Sequence, residues 1–139
     1  MYPGRNLVIS FRSYAEEKHP EWATPFGYYK RALARVLSPN HTVHIFGESG
    51  GIEEFAAKIK PLLSPAQGER LVVWPGVRDK PTTSLHMAYM IAADDFILCH
   101  SSFHVWGAFL TGCNDSVVVH DGTYDYGAVR AWIQLNPRD

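Results

Sequence analysis

Short β-prone runs alternate with helical segments along the chain, and no other feature of the sequence constrains the fold as strongly. Five runs are rich in Val, Ile, Leu and Phe, at 7–11, 42–46, 70–74, 96–99 and 116–120. The segments that follow them carry apolar residues at helical spacing, at 28–37, 52–63, 85–93, 102–113 and 126–135. Near-continuous apolar strands joined by helices are typical of a parallel sheet covered on both faces. We therefore predict an α/β fold, a three-layer Rossmann-like sandwich with a five-stranded parallel sheet.

Single residues predict details of the helices. Pro61 is expected to disturb the end of the helix over 52–63, because proline lacks the N–H that a helix interior needs. Thr83 or Ser84 is expected to cap the helix over 85–93. Phe103 and Trp106 are expected to pack the helix over 102–113 against the sheet.

The composition predicts one soluble domain spanning residues 1–139. Hydrophobic residues make up 46% of the chain, which is enough to bury a sizeable core at this length. Thirteen basic residues balance fourteen acidic ones, so no nucleic-acid partner is expected. No apolar stretch approaches the roughly 20 residues that span a membrane, and the N-terminus lacks the apolar core of a signal peptide. The two cysteines, Cys99 and Cys113, lie in apolar contexts and are predicted to be buried free thiols.

Polar residues collect at the predicted carboxyl ends of the strands. In a doubly wound sheet, ligands bind at this edge. Arg12 follows the first run, Glu48 and Ser49 follow the second, and Ser101 and Ser102 follow the fourth, where a helical pattern begins at once. The first N–H groups of a helix have no partner within it, and they favour an anion. The sequence therefore predicts an anion site at this edge.

Two other chemistries are weaker matches. The loop "GESGG" at 47–51 fits the nucleophile elbow of an esterase, with Ser49 attacking, His120 as base and Asp115 or Asp121 behind it. Only one strand precedes this loop, however, and no oxyanion-hole segment lies upstream. A metal site is not expected, because the seven histidines show no metal-ligand spacing, and His41 and His44 are interpreted as loop and strand-surface residues.

Several segments together resemble the alpha-1,2-fucosyltransferase family. The segment "SSFHVWGAFL" at 101–110 is similar to the family's "SSFSWWGAWL" pattern, and "MAYMIAADDFILCHSSF" at 87–103 extends the similarity upstream. "GYYKRALARV" at 27–36 resembles its "YYxxAI" helix, and "HIFGES" at 44–49 resembles its "FxIFSDD" strand and loop. "VISFRSY" at 8–14 stands where the family has its basic H-x-R-R-x-D motif. The order and spacing of these segments agree over nearly the whole chain.

The resemblance implies the GDP-sugar-binding half of a metal-independent GT-B enzyme, which transfers fucose from GDP-fucose to a glycan hydroxyl with inversion. Arg12 is then the catalytic cation at the diphosphate, because leaving-group charge needs a guanidinium when no metal is present. Glu48 would accept from guanine or ribose. The remaining residues expected at the donor site are Ser49, His86, His100, Ser101, Ser102 and Phe103.

The chain also departs from the family pattern. Ser10 and Ser13 stand where the basic motif has a His and a second Arg, and His86 and His100 stand where the family has Asp and Asn. A GT-B enzyme has two lobes, so a second lobe or a second copy of the chain is an expected partner, and "HPEWATPFGYY" at 19–29 is a candidate contact or acceptor segment. The alternative is a noncatalytic nucleotide-sugar-binding or interaction domain. The expected location is the cytoplasm, unless the chain is a fragment of a Golgi or membrane-associated enzyme.

Overall fold

A six-stranded parallel sheet forms the centre of the computed structural model, which describes residues 2–14, 18–77, 79–113, 115–123 and 132–138. The strands are β1 (Arg5–Phe11), β2 (His41–Glu48), β3 (Val72–Gly76), β4 (Asp95–Ile97), β5 (Val118–His120) and β6 (Ile133–Gln134). Their order is β3-β2-β1-β4-β5-β6, and every neighbouring pair is parallel. The predicted Rossmann-like α/β fold is confirmed, with one strand more than predicted.

Helices cover both faces of the sheet. They are α1 (Phe26–Val36), α2 (Ile52–Ile59), α3 (Pro65–Glu69), α4 (Lys80–Ile91) and α5 (Ser102–Phe109), with short 3-10 turns at Pro20–Trp22 and Lys60–Leu62. Alternate residues of β1 point to opposite faces, so Leu7 and Ile9 join the core beneath α1 and α2, while Val8 joins the core beneath α4 and α5. The chain therefore has the three layers that its apolar runs predict. None of the described helices is both long and apolar enough to cross a membrane.

Three elements differ from the sequence prediction. The segment 126–135 was expected to be a helix, but Ile133–Gln134 forms β6 at the sheet edge, and residues 126–131 lie outside the described part of the chain. Helix α4 begins earlier than expected, because the Asp79 side chain rather than Thr83 or Ser84 caps it, accepting from the Thr82 N–H at 2.8 Å. Helix α3 was not predicted, although Ser64 and Gln67 form a complete capping box at its start.

The interpretation of His41 and His44 as loop and surface residues is wrong, because both faces of β2 are covered and both side chains are buried. His41 Nε2 lies 2.6 Å from a carboxylate oxygen of Asp95. His44 donates from Nε2 to Asn6 Oδ1 and accepts at Nδ1 from the indole N–H of Trp74. Buried histidines with a partner at each nitrogen satisfy the rule that buried polar groups are hydrogen-bonded.

Helix α5 packs differently from the prediction. Phe103 packs against the core as expected, but Trp106 is 56% exposed and touches the ring of Phe109 instead. The face that approaches α4 carries Gly107, where an added Cβ would lie 2.9 Å from the Cβ of Met90. Such a close approach of two helices leaves no room for an indole between them, and Trp106 lies on the outer side of α5. Of the two free cysteines, Cys99 is buried as predicted and Cys113 is only partly buried.

Gly47 allows β2 to lie close to the end of β1, and a side chain there is expected to be costly. A Cβ at Gly47 would lie 2.4 Å from the backbone carbonyl oxygen of Phe11, which cannot move without disturbing the strand pair. We expect Gly47→Ala to lower the free energy of unfolding by about 1–3 kcal/mol in urea denaturation. Gly27→Ala in α1 is the matched control, because no atom lies within 4 Å of its Cβ position. Equal stability of the two variants would contradict this expectation.

Candidate functional site

A solvent-open pocket of about 200 Å³ lies at the carboxyl edge of the sheet. It lies at the topological switch point, where β1 and β4 are neighbours but lead to helices on opposite faces. Its walls come from the last residues of β1, β2 and β3, from the residues just after β1 and β3, from the first two turns of α4 and from the start of α5. The described lining residues are Phe11, Arg12, Gly47, Glu48, Gly76, Val77, Thr82, Thr83, His86, Ser101, Phe103 and His104.

Five of the eight residues expected at the donor site line this pocket, namely Arg12, Glu48, His86, Ser101 and Phe103. The other three lie outside it. Ser49 is exposed, and its backbone N–H donates to the carbonyl oxygen of Gly76. Ser102 is exposed on the first turn of α5, and His100 belongs to a different cluster.

Glu48 holds the loop that carries Arg12. Its Oε1 accepts hydrogen bonds from the backbone N–H and the hydroxyl of Ser13 and from the N–H of Tyr14, the last two at 2.8 and 3.1 Å. The guanidinium carbon of Arg12 lies 4.5 Å from the centre of the Tyr14 ring, a cation–π contact that orients it. Tyr14 adopts a left-handed backbone conformation, with a φ of 60°. This carboxylate oxygen therefore organises the loop, whereas the sequence predicted that Glu48 accepts from guanine or ribose.

The first turn of α5 presents donors to the pocket. Ser101 is the N-cap residue, and its side chain makes no capping hydrogen bond. Ser101 is only 3% exposed, and its hydroxyl has no hydrogen-bond partner among the described residues. The N–H groups of Ser102, Phe103 and His104 begin the helix and have no acceptor within it. A helix start with an unpaired buried hydroxyl is suited to bind an anion.

Two buried imidazoles complete the wall, His86 from α4 and His104 from α5. Burial lowers the pKa of His104 to about 3, helped by the neighbouring charge of Arg12. Burial also lowers the pKa of His86, whose ring meets the edge of Phe46 at 5.3 Å. Both side chains are therefore neutral at pH 7, and Arg12 is the one cation among the described lining residues.

His100 lies in an aromatic stack beside the pocket rather than in it. The indole of Trp22 stacks on the ring of His19, at 3.9 Å between ring centres, and lies parallel to the ring of His100, at 5.5 Å. His100 Nδ1 also lies 3.3 Å from the hydroxyl of Thr123. Within the segment 19–29 this indole therefore contacts two imidazoles, and it is 41% exposed.

The residues of the esterase hypothesis do not come together. Ser49 follows β2 and His120 ends β5, and three strand spacings of about 4.8 Å each separate these strands. Asp115 pairs with Arg5 at 3.1 Å, at the opposite edge of the sheet, and Asp121 accepts from the hydroxyl of Thr24. Among the described residues, no group of three or more His, Cys, Asp or Glu side chains is arranged to hold a metal ion.

His104 lines the pocket but was not predicted as a site residue. Ser101 and His104 are three residues apart, and residues at this spacing share one face of a helix. Once Ser101 was expected at the site, this spacing was the signal that placed His104 beside it. The bare backbone of Gly76 was also missed, because a glycine after a strand is equally typical of an ordinary turn.

Comparison of the chain with family models, with curated proteins and with solved structures gave no match. A doubly wound fold by itself hosts many functions, so an assignment depends on the chemistry of the pocket.

Proposed function

We propose that the pocket binds the diphosphate of a nucleotide sugar, and that the chain is the donor-binding domain of a fucosyltransferase-like enzyme using GDP-fucose or a related donor. One observation carries this proposal: Arg12 and the start of α5 line the same pocket, at the switch point of the sheet. A guanidinium and a set of helix N–H groups are the two protein features best suited to phosphate oxygens. The resemblance of 8–14 and 87–110 to fucosyltransferase segments supports the same donor class.

The proposed reaction assigns each group a task. The acceptor oxygen bonds to the anomeric carbon, the bond from that carbon to the diphosphate breaks, and its electron pair leaves with the diphosphate. The acceptor hydroxyl gives up its proton in the same step to solvent water, which reaches the open pocket. Negative charge grows on the leaving oxygens, where Arg12 and the N–H groups of α5 lower its energy. These preorganised donors supply the stabilisation that a metal ion gives in other transferases.

A noncatalytic nucleotide-sugar-binding domain is the second candidate, and one observation favours it. Glu48 is the one carboxylate among the described lining residues, and its Oε1 is engaged by Ser13 and Tyr14. The described part of the pocket thus offers no second carboxylate that could take the acceptor proton. Release of GDP from GDP-fucose in the presence of an oligosaccharide acceptor would favour the enzyme; binding without release would favour the binder.

Isothermal titration with GDP, GDP-fucose and UDP tests the proposal. We expect GDP to bind the chain, and Arg12→Ala to weaken that binding by about 1–3 kcal/mol, the cost of losing hydrogen bonds to a charged group. Arg12→Lys is expected to fall between the two, because it keeps the charge and loses the fork. Arg35→Ala is the matched control, since this exposed arginine of α1 lies away from the pocket. No nucleotide binding, or equal binding by Arg12→Ala, would contradict the proposal.

A further inference from the structure

Three buried groups meet beneath the pocket floor around the hydroxyl of Ser10. Ser10 Oγ lies 2.7 Å from His104 Nδ1, 2.8 Å from Cys99 Sγ and 3.2 Å from the backbone N of Cys99. Ser10 is completely buried, and His104 and Cys99 are nearly so. The cluster is sealed from solvent on the Ser10 side, so the protons on these atoms can be assigned from their partners.

One arrangement of the protons around Ser10 Oγ gives every donor there, the thiol included, an acceptor. The Cys99 N–H can only donate, so it occupies one lone pair of Ser10 Oγ. Burial raises the pKa of the Cys99 thiol to about 12, so the sulfur keeps its proton, and the second lone pair of Ser10 Oγ, 2.8 Å away, can accept it. In this arrangement the hydroxyl proton of Ser10 goes to His104 Nδ1, which accepts it. A neutral imidazole that accepts at Nδ1 carries its own proton on Nε2.

The Nε2 side of His104 faces different surroundings. His104 lines the pocket, is only 6% exposed, and has no hydrogen-bond partner for Nε2 among the described residues. An unpaired donor in a buried position costs free energy comparable to a lost hydrogen bond. Ser101 Oγ and His86, which line the same pocket and are also buried without hydrogen-bond partners in the described chain, add to that cost. A ligand that brings acceptor atoms to this wall would remove this free-energy cost.

We propose that His104 is a specificity-determining residue that donates its Nε2–H to a phosphate oxygen of the bound diphosphate, and that Ser10 positions it by fixing the tautomer. This inference rests on the proposed function, since it assigns a partner within the same pocket. Arg12 supplies positive charge to the phosphate, and His104 supplies a donor with a fixed direction. The hydrogen bond from Ser10 to Nδ1 fixes the orientation of the imidazole, so its Nε2–H can reach a phosphate oxygen in one position only. A neutral donor of this kind favours an oxyanion over a ligand that presents N–H groups to the same wall.

The first test reads the tautomer in the wild-type protein. Long-range ¹H–¹⁵N NMR is expected to show His104 with an unprotonated Nδ1 and a protonated Nε2, both before and after addition of GDP. GDP and inorganic pyrophosphate are expected to shift the Nε2–H resonance. Protonation at Nδ1, or an Nε2–H resonance that neither probe moves, would overturn the proposal.

The second test compares two substitutions at one position. His104→Leu removes the donor, and we expect it to weaken binding of GDP and of pyrophosphate about ten- to a hundredfold, the range for one hydrogen bond to a charged group. His104→Gln keeps a side-chain N–H near the Nε2 position and is expected to bind within a fewfold of wild type. Thr42→Val, a buried change on β2 away from the pocket, is the control for general loosening of the core.

The outcomes separate this inference from the proposed function. If wild type binds GDP and His104→Leu binds it equally well, the role of His104 is wrong and the proposed function stands. If wild type binds neither GDP nor pyrophosphate, the proposed function fails and this role fails with it. If His104→Leu does not fold, the NMR titration decides, because it uses the wild-type protein.

Discussion

Replacing Asp95 with alanine is expected to lower the free energy of unfolding by about 3–5 kcal/mol, the range for removing one partner of a buried ion pair. Asp95 is buried at the start of β4, and each of its oxygens has two partners. One accepts from Arg5 at 2.9 Å and from the N–H of Val117, and the other accepts from Arg5 at 3.0 Å and from His41 at 2.6 Å. The variant would leave those donors without an acceptor, which urea denaturation would detect.

Asp115→Ala is the matched control, because it removes a second carboxylate from the same arginine. Asp115 Oδ2 lies 3.1 Å from Arg5, but its side chain is 78% exposed, so water replaces the contact when it is lost. We expect a much smaller loss of stability than for Asp95→Ala. Similar losses from the two variants would show that burial of the Asp95 cluster contributes little to the fold.

The fold is also expected to lose stability in mild acid, beginning near pH 6.5. Burial lowers the pKa of His44 to about 4 and that of His104 to about 3, whereas a histidine in the unfolded chain titrates near 6.5. Between these values the unfolded chain binds protons that the folded chain excludes, so stability falls as pH falls. Each imidazole contributes a slope on the order of 1 kcal/mol per pH unit across that window.

The carboxylate of Asp95 extends this loss to lower pH. Burial alone would raise its pKa, but the hydrogen bonds from His41 and Arg5 outweigh burial and lower it. The stability that Asp95 contributes to the fold is therefore present above the ordinary pKa of aspartate and is lost as the pH falls further.

Urea denaturation at intervals between pH 7 and pH 4 measures how the free energy of unfolding changes with pH, and His104→Gln is expected to make that change smaller. An unchanged stability between pH 7 and pH 5 would contradict the expectation.

Most of the fold was predictable because burial on both faces of a parallel sheet leaves a continuous apolar run. The last strand, β6, is the one strand that this apolar pattern did not predict. Trp132 packs against one core, and Ile133 and Leu135 pack against the other. This is the alternation of a strand, but it spans only four residues at the sheet edge and cannot be distinguished from a helical pattern.

The site was partly predictable for a related reason. The carboxyl ends of parallel strands meet at one edge, which is why Arg12, Glu48 and Ser101 were expected together and line one pocket. The sequence could not show which way each side chain points. Ser102 follows Ser101 directly, yet one residue along a helix turns the side chain by about 100°, and Ser102 faces solvent. The burial of His104 depends on contacts with Ser10, 94 residues away, which no local pattern reveals.

The pairing of β1 has a consequence for how a ligand and the sheet depend on each other. β1 pairs with β2 along its whole length, but it pairs with β4 only at Leu7, Val8 and Ile9. Within the sheet, this short seam is where the first three strands join the last three. The pocket lies at the end of the seam, with Arg12 on one side and Ser101 on the other. A ligand that contacts both sides links the two halves of the sheet. Its binding free energy therefore stabilises the pairing of β1 with β4.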